Sequence, residues 1–232
     1  MDNPVVIVHG YADTNRSPWW KELESRLVES GYDKSDVYLV DFSIDAMPGS
    51  SIDSPQKYAE KLKERIDQIL REKKSEDCEE TEEVDIIAHS MGGLDARWYI
   101  EKMDGADNVN KLITLGTPHK GTEMANLAAW TPGARDMIPD SDFLRELNSS
   151  HLPEDVEYVS IWSRGDELVV PSERAKLEDA KNINPGFYTH IVMVRSPEVF
   201  RDAILPALRG EGVKNKGKRT LISKKGLNID IT

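Results

Sequence analysis

Ala88-His89-Ser90-Met91-Gly92-Gly93 follows a short apolar run, Val84-Asp85-Ile86-Ile87-Ala88, and precedes a stretch of helical period from Leu94 to Met103. A serine between small residues, at a turn from strand to helix, is the arrangement of a nucleophile elbow. The turn strains the serine backbone, so small residues are needed two positions before and after it. Ala88 stands where the commonest form of the motif has glycine, and alanine is still small. A serine at its ordinary pKa is a weak nucleophile and needs a base within hydrogen-bond reach, itself oriented by an acid. After such an elbow the partners follow in the order acid, then histidine. His119, His151 and His190 follow Ser90; Asp166, Glu167 and Asp179 are the carboxylates to weigh. The negative oxygen formed on attack also needs N–H donors. One expected donor is the Met91 amide, and a second should come from the loop after the first strand.

These residues require elements to hold them. Val5 to Val8, Val37 to Val40, Val84 to Ala88, Leu112 to Leu115 and Val156 to Trp162 have the make-up of strands, with a weaker sixth around Asn182 to Phe187. Four are nearly continuous apolar runs, as parallel strands covered on both faces require. Trp19 to Glu29 and Tyr58 to Arg71 carry apolar residues at helical spacing, with Ser54-Pro55 as a start signal for the second. This alternation predicts an α/β fold: a doubly wound, mostly parallel sheet of about six strands joined by right-handed crossovers. Ligands in such sheets bind beyond the carboxyl ends of the strands.

One domain over residues 1–208 is expected, followed by a basic tail over 209–232 carrying Lys214, Lys216, Lys218 and Arg219. Residues 117–155 separate two strands by more than an ordinary crossover and form a cap-like segment. Trp130, Met137, Ile138, Phe143 and Leu144 within it are candidates to line a substrate groove; the alternative is a satellite core beneath the loop. A net charge of −12 argues against nucleic acid as a partner. No apolar run approaches about 18 residues, so no transmembrane helix is expected. A single cysteine, Cys78, excludes an internal disulfide, and with no recognisable export signal the expected location is cytoplasmic, a trimmed precursor being the alternative. Oligomeric state is not legible.

His9-Gly10-Tyr11, the run from Ala88 to Arg97, and Gly116-Thr117-Pro118-His119-Lys120-Gly121 together resemble bacterial and archaeal lipases of the α/β-hydrolase superfamily. The resemblance spans about Asn3 to Leu208 and implies a compact α/β-hydrolase fold. It implies Ser90, Asp166 and His190 as a triad, with the backbone amides of Tyr11 and Met91 as oxyanion donors. His119, within the Gly-Thr-Pro-His block, is then expected to structure its loop. Larger bacterial lipases bind calcium through an aspartate just after the histidine; here Ile191-Val192-Met193 follows His190, so neither metal nor cofactor is expected. The implied reaction is hydrolysis of carboxylic esters with hydrophobic acyl groups, with transient contact with a lipid interface. Thioester hydrolysis and acyl transfer use the same machinery, and a catalytically silent binding module is the rival from another class.

Overall fold

Six runs of β-branched and other apolar residues form the strands Val5–Val8 (β1), Val37–Leu39 (β2), Val84–His89 (β3), Val109–Leu115 (β4), Glu157–Ile161 (β5) and Lys181–Ile183 (β6) in a computed structural model. It describes residues 3–42, 52–76 and 82–212. The basic residues expected to form a tail beyond Gly212, and Cys78, lie outside the described residues. All strand pairs are parallel, in the order β2-β1-β3-β4-β5-β6. The doubly wound, parallel sheet of about six strands expected from the sequence is therefore present.

Period-two alternation explains how the sheet is covered. On one face Val6, Val8, Ile86, Ala88 and Leu112 meet helices Pro55–Glu76 (α2) and Gly92–Lys102 (α3), through residues such as Leu62, Ile66 and Leu94. On the other, Val5, Ile7, Ile87, Ile113 and Ile161 meet Trp20, Leu23 and Leu27 of helix Pro18–Glu29 (α1) and the helical run at 197–208. Burial on both faces is why the central strands read as unbroken apolar stretches.

The sixth strand is shorter than its predicted span and ends at Ile183, because Pro185 offers no N–H to continue the ladder. Residues 117–155 hold a 3-10 turn, Glu123–Ala128, and two short helices, Pro132–Asp136 (α4) and Asp142–Leu147 (α5). A further short helix, His190–Arg195 (α6), opens on a histidine. Strand ends are aligned, with Val8 beside Ala88 and Leu115 beside Ile161. The loops after β1, β3, β4 and β5 therefore emerge together at one edge of the sheet.

Candidate active site

Ser90 sits at the tip of the β3–α3 turn with φ +55°, a left-handed conformation that a non-glycine residue adopts only under local constraint. Its backbone N–H donates to the Leu115 carbonyl at 2.9 Å, which ties the turn to the neighbouring strand end. Gly10 makes the close approach possible: a Cβ there would lie 2.7 Å from the Ser90 Cβ. The Tyr11 and Met91 amides, on the two loops flanking Ser90, have no hydrogen-bond partner among the described residues. Met91 is fully buried, where an unpaired N–H is uncommon.

His190 is the first residue of α6 and is buried. Both carboxylate oxygens of Asp166 lie 2.9 Å from its Nδ1. A carboxylate only accepts, so Nδ1 carries the proton and Nε2 is left as the basic nitrogen. Asp166 is itself held by the N–H groups of Leu168 and Val169, at 3.0 and 2.9 Å. Gly116, with φ +55°, passes so close that a Cβ would meet Asp166 Oδ2 at 2.8 Å and the His190 ring at 3.1 Å. Glu167, a rival acid on sequence grounds, instead accepts the backbone N–H of His190 at 2.9 Å. Asp179, the other rival, borders a different cavity.

Ser90 and His190 open onto one cavity of about 500 Å³, walled largely by apolar side chains including Trp19, Met124, Leu127, Met137, Val169 and Ile191. His89 packs against His190 and borders the same cavity. Its ring centroid lies 4.5 Å from that of His190 and 5.9 Å from that of Trp20. Burial, and next the neighbouring His190, hold its pKa well below the ordinary imidazole range.

The other histidines after Ser90 lie elsewhere. His119 is fully enclosed, with Nδ1 3.5 Å from the Arg97 guanidinium and Nε2 3.1 Å from Thr114 Oγ1. Arginine only donates, so Nδ1 accepts and the ring proton faces Thr114. Burial, and then the Arg97 charge, push its pKa well down. Arg97 is balanced by Glu101 at 2.7 Å and bonds Asn148 at 3.0 Å, which in turn donates to the His119 carbonyl. His151 is exposed, beside a separate polar cavity of about 580 Å³ that also reaches Arg97 and His119.

Of the five cap residues expected to line a groove, Met137 borders the cavity and the other four do not. Trp130 is 78% exposed, and Ile138 packs on the core beneath the cap. Phe143 stacks on Trp98 with centroids 5.2 Å apart, and Leu144 is buried against the same core. Both belong to α5, whose apolar face is turned towards α3. The wall comes instead from Met124, Ala125, Leu127 and Ala128, in a turn whose small, mixed residues gave no amphipathic signal. Also missed were Ser163, whose hydroxyl donates to the Gly186 carbonyl and accepts from Tyr188 N–H, and Asp13, whose carboxylate gathers Thr14 N–H, Ser17 Oγ and the indoles of Trp19 and Trp20. The Asp-x-x-x-Ser-Pro spacing before a helix was an available signal for Asp13.

The family model for palmitoyl protein thioesterase matches residues 4–150, more than half of the chain. The chain belongs to that family. The matched part of this thioesterase-family chain carries the Tyr11 loop, the elbow and most of the cap; Asp166 and His190 lie beyond it. Curated relatives include triacylglycerol lipases of Pseudarthrobacter phenanthrenivorans and Burkholderia plantarii, each 31% identical over 127 residues, or 53% of this chain. The chain spans about a third of those relatives' length, 35% and 31%. Among solved structures, the mature Bacillus licheniformis lipase superposes with a TM-score of 0.70 at 19% identity, covering 89% of this chain and 92% of that one. Aspergillus fumigatus lipase B gives 0.70 at 22% identity, covering 91% and 54%. Both share the fold with this family member.

Proposed function

We propose that this chain is a serine ester hydrolase acting through an acyl-enzyme on substrates with hydrophobic acyl groups. The observation that carries the reading is the convergence of strained Ser90 and the Asp166-bonded His190 on one apolar cavity. Ser90 Oγ attacks the carbonyl carbon while its proton passes to His190 Nε2. The Tyr11 and Met91 amides receive the oxyanion, which collapses as the leaving alcohol takes the proton from His190. Water then attacks the acyl-enzyme, giving its proton to His190, which returns it to Ser90 as the acid leaves. Asp166 fixes the imidazole tautomer and stabilises the imidazolium without taking its proton. Residues 1–208 act as one domain, with 117–155 as its cap.

A lipid surface is the environment this face suits. Of the exposed large apolar side chains, Met124, Leu127 and Leu168 border the cavity, Val192 follows Ile191 in its wall, and Phe187 packs beside Gly165, next to Asp166. Among the described residues no helix is long and apolar enough to cross a membrane. Such a face suits transient contact with a lipid interface.

Thioester hydrolysis is the second reading, favoured by the family description. Rates on matched acyl p-nitrophenyl esters and acyl thioesters, with acyl length varied from acetyl to medium chain, test both. The ester reading expects kcat/KM to be higher for the oxygen esters and to rise with acyl length. A preference for thioesters at every length assigns the chain to the second reading, and turnover of neither refutes both.

A further inference from the structure

Tyr11 enters the proposed chemistry through its backbone, yet its side chain makes a separate long-range contact. The phenol oxygen lies 2.8 Å from Thr131 Oγ1, a residue 120 positions away at the N-terminus of α4. Thr131 Oγ1 also lies 3.0 Å from the Ala128 carbonyl and 3.4 Å from the Ala134 amide. A carbonyl only accepts, so the Thr131 hydroxyl proton goes to Ala128. The Ala134 N–H and the Tyr11 O–H then donate to the two lone pairs of the same oxygen. Tyr11 is therefore the donor, and Thr131 is satisfied on every side.

This bond joins two parts that are built separately. On one side is the loop after β1, where Ala12 is held at φ +54° and Asp13 anchors the chain to α1 through Trp19 and Trp20. On the other is the cap, where Met124, Ala125, Ala128, Ala134 and Met137 border the cavity above Ser90. Asp13 fixes the loop to the scaffold; the Tyr11 hydroxyl fixes it to the cap. We infer that the Tyr11–Thr131 hydrogen bond couples seating of the cap to the placement of the Tyr11 N–H, making the Tyr11 hydroxyl and Thr131 positioning residues for the oxyanion site. This rests on the reading of the site as a serine ester hydrolase.

The test is a double-variant cycle of Tyr11→Phe and Thr131→Val, with Thr131→Ser as the conservative variant and Ser90→Ala as a control on the reading itself. Losing an oxyanion donor outright costs about 100- to 1000-fold in kcat; a donor loosened but present should cost about 10-fold. Tyr11→Phe is expected to lower kcat on a medium-chain p-nitrophenyl ester by about 10-fold, with KM changed by less than about twofold. The rate of inactivation by a p-nitrophenyl phosphonate, which develops the same oxyanion, should fall in parallel. Thr131→Val should match that loss, the double variant should be no slower than either single, and Thr131→Ser should stay close to the parent. Thr131→Val also removes the cap of α4 and will melt lower; Tyr11→Phe keeps that cap, so its kinetics stand apart from folding. An unchanged kcat in Tyr11→Phe, or losses that multiply in the double variant, overturns the coupling. Turnover surviving in Ser90→Ala would instead overturn the hydrolase reading.

Discussion

Replacing Asp95 with asparagine should stabilise the protein, and more so at neutral than at acidic pH. Asp95 lies in the first turn of α3 with no exposed surface, and neither carboxylate oxygen has a hydrogen-bond partner. Burial alone pushes its pKa well above the ordinary 3.8. A raised folded-state value means the fold favours the neutral acid. Stability is unaffected below the unfolded pKa and falls as pH climbs from there towards the folded value. At pH 7 that cost is bounded by the distance from the ordinary value, about 3 units, and so cannot exceed about 4 kcal/mol. At pH 5 the same gap is about 1 unit and the cost falls below about 2 kcal/mol. Asn keeps the shape and an unpaired polar group but needs no proton. Asp95→Asn is thus expected to gain up to about 4 kcal/mol at pH 7, or about 8 to 16 °C in Tm for a domain of this size. A smaller gain should remain at pH 5. Urea unfolding of both proteins at the two pH values measures it directly. A variant less stable than the parent at pH 7, or a gain independent of pH, would show that burial does not disfavour the Asp95 carboxylate.

Gly116→Ala should leave a folded protein with kcat lowered about 100-fold, because the new methyl enters the space of Asp166 and His190 at a positive φ; a parent-like kcat would show that the pair tolerates displacement. Met137→Ala should flatten the rise of kcat/KM with acyl length, each buried methylene being worth up to about 0.8 kcal/mol. Phe143→Ala should instead lower stability by about 3 to 5 kcal/mol while leaving that trend intact, and the reverse pattern would return Phe143 to the groove. Chelation by EDTA should alter neither turnover nor Tm, as the described residues hold no cluster of histidine, cysteine or carboxylate ligands; a loss restored by calcium would contradict this.

The strands, their parallel arrangement and the elbow were legible because each rests on local pattern. Val84 to His89 is buried on both faces, with an apolar run at its centre, and the turn that follows demands small residues. Asp166 and His190 needed the resemblance, since chain order alone left three histidines and three carboxylates open. Glu167 against Asp166 could not be separated by position; the bonds at the two ends of His190 distinguish them, Nδ1 for one and the backbone N–H for the other. In the cap, groove and core were both open, and Met137 borders the cavity while Trp130, Ile138, Phe143 and Leu144 do not. Large apolar residues in a long connection satisfy a core as readily as a groove, and the orientation of α5 on α3 decides between them. Tyr11 and Thr131 are 120 residues apart, and neither residue type announces a partner at that distance.

The proposed chemistry depends on Ser90 being the nucleophile of an acyl-transfer site. Intact-mass analysis after treatment with a fluorophosphonate, followed by peptide mapping, identifies the nucleophile. One adduct per chain is expected, located on Ser90, and absent from Ser90→Ala together with ester turnover. Stoichiometric labelling of a different serine, or full turnover in Ser90→Ala, would contradict it.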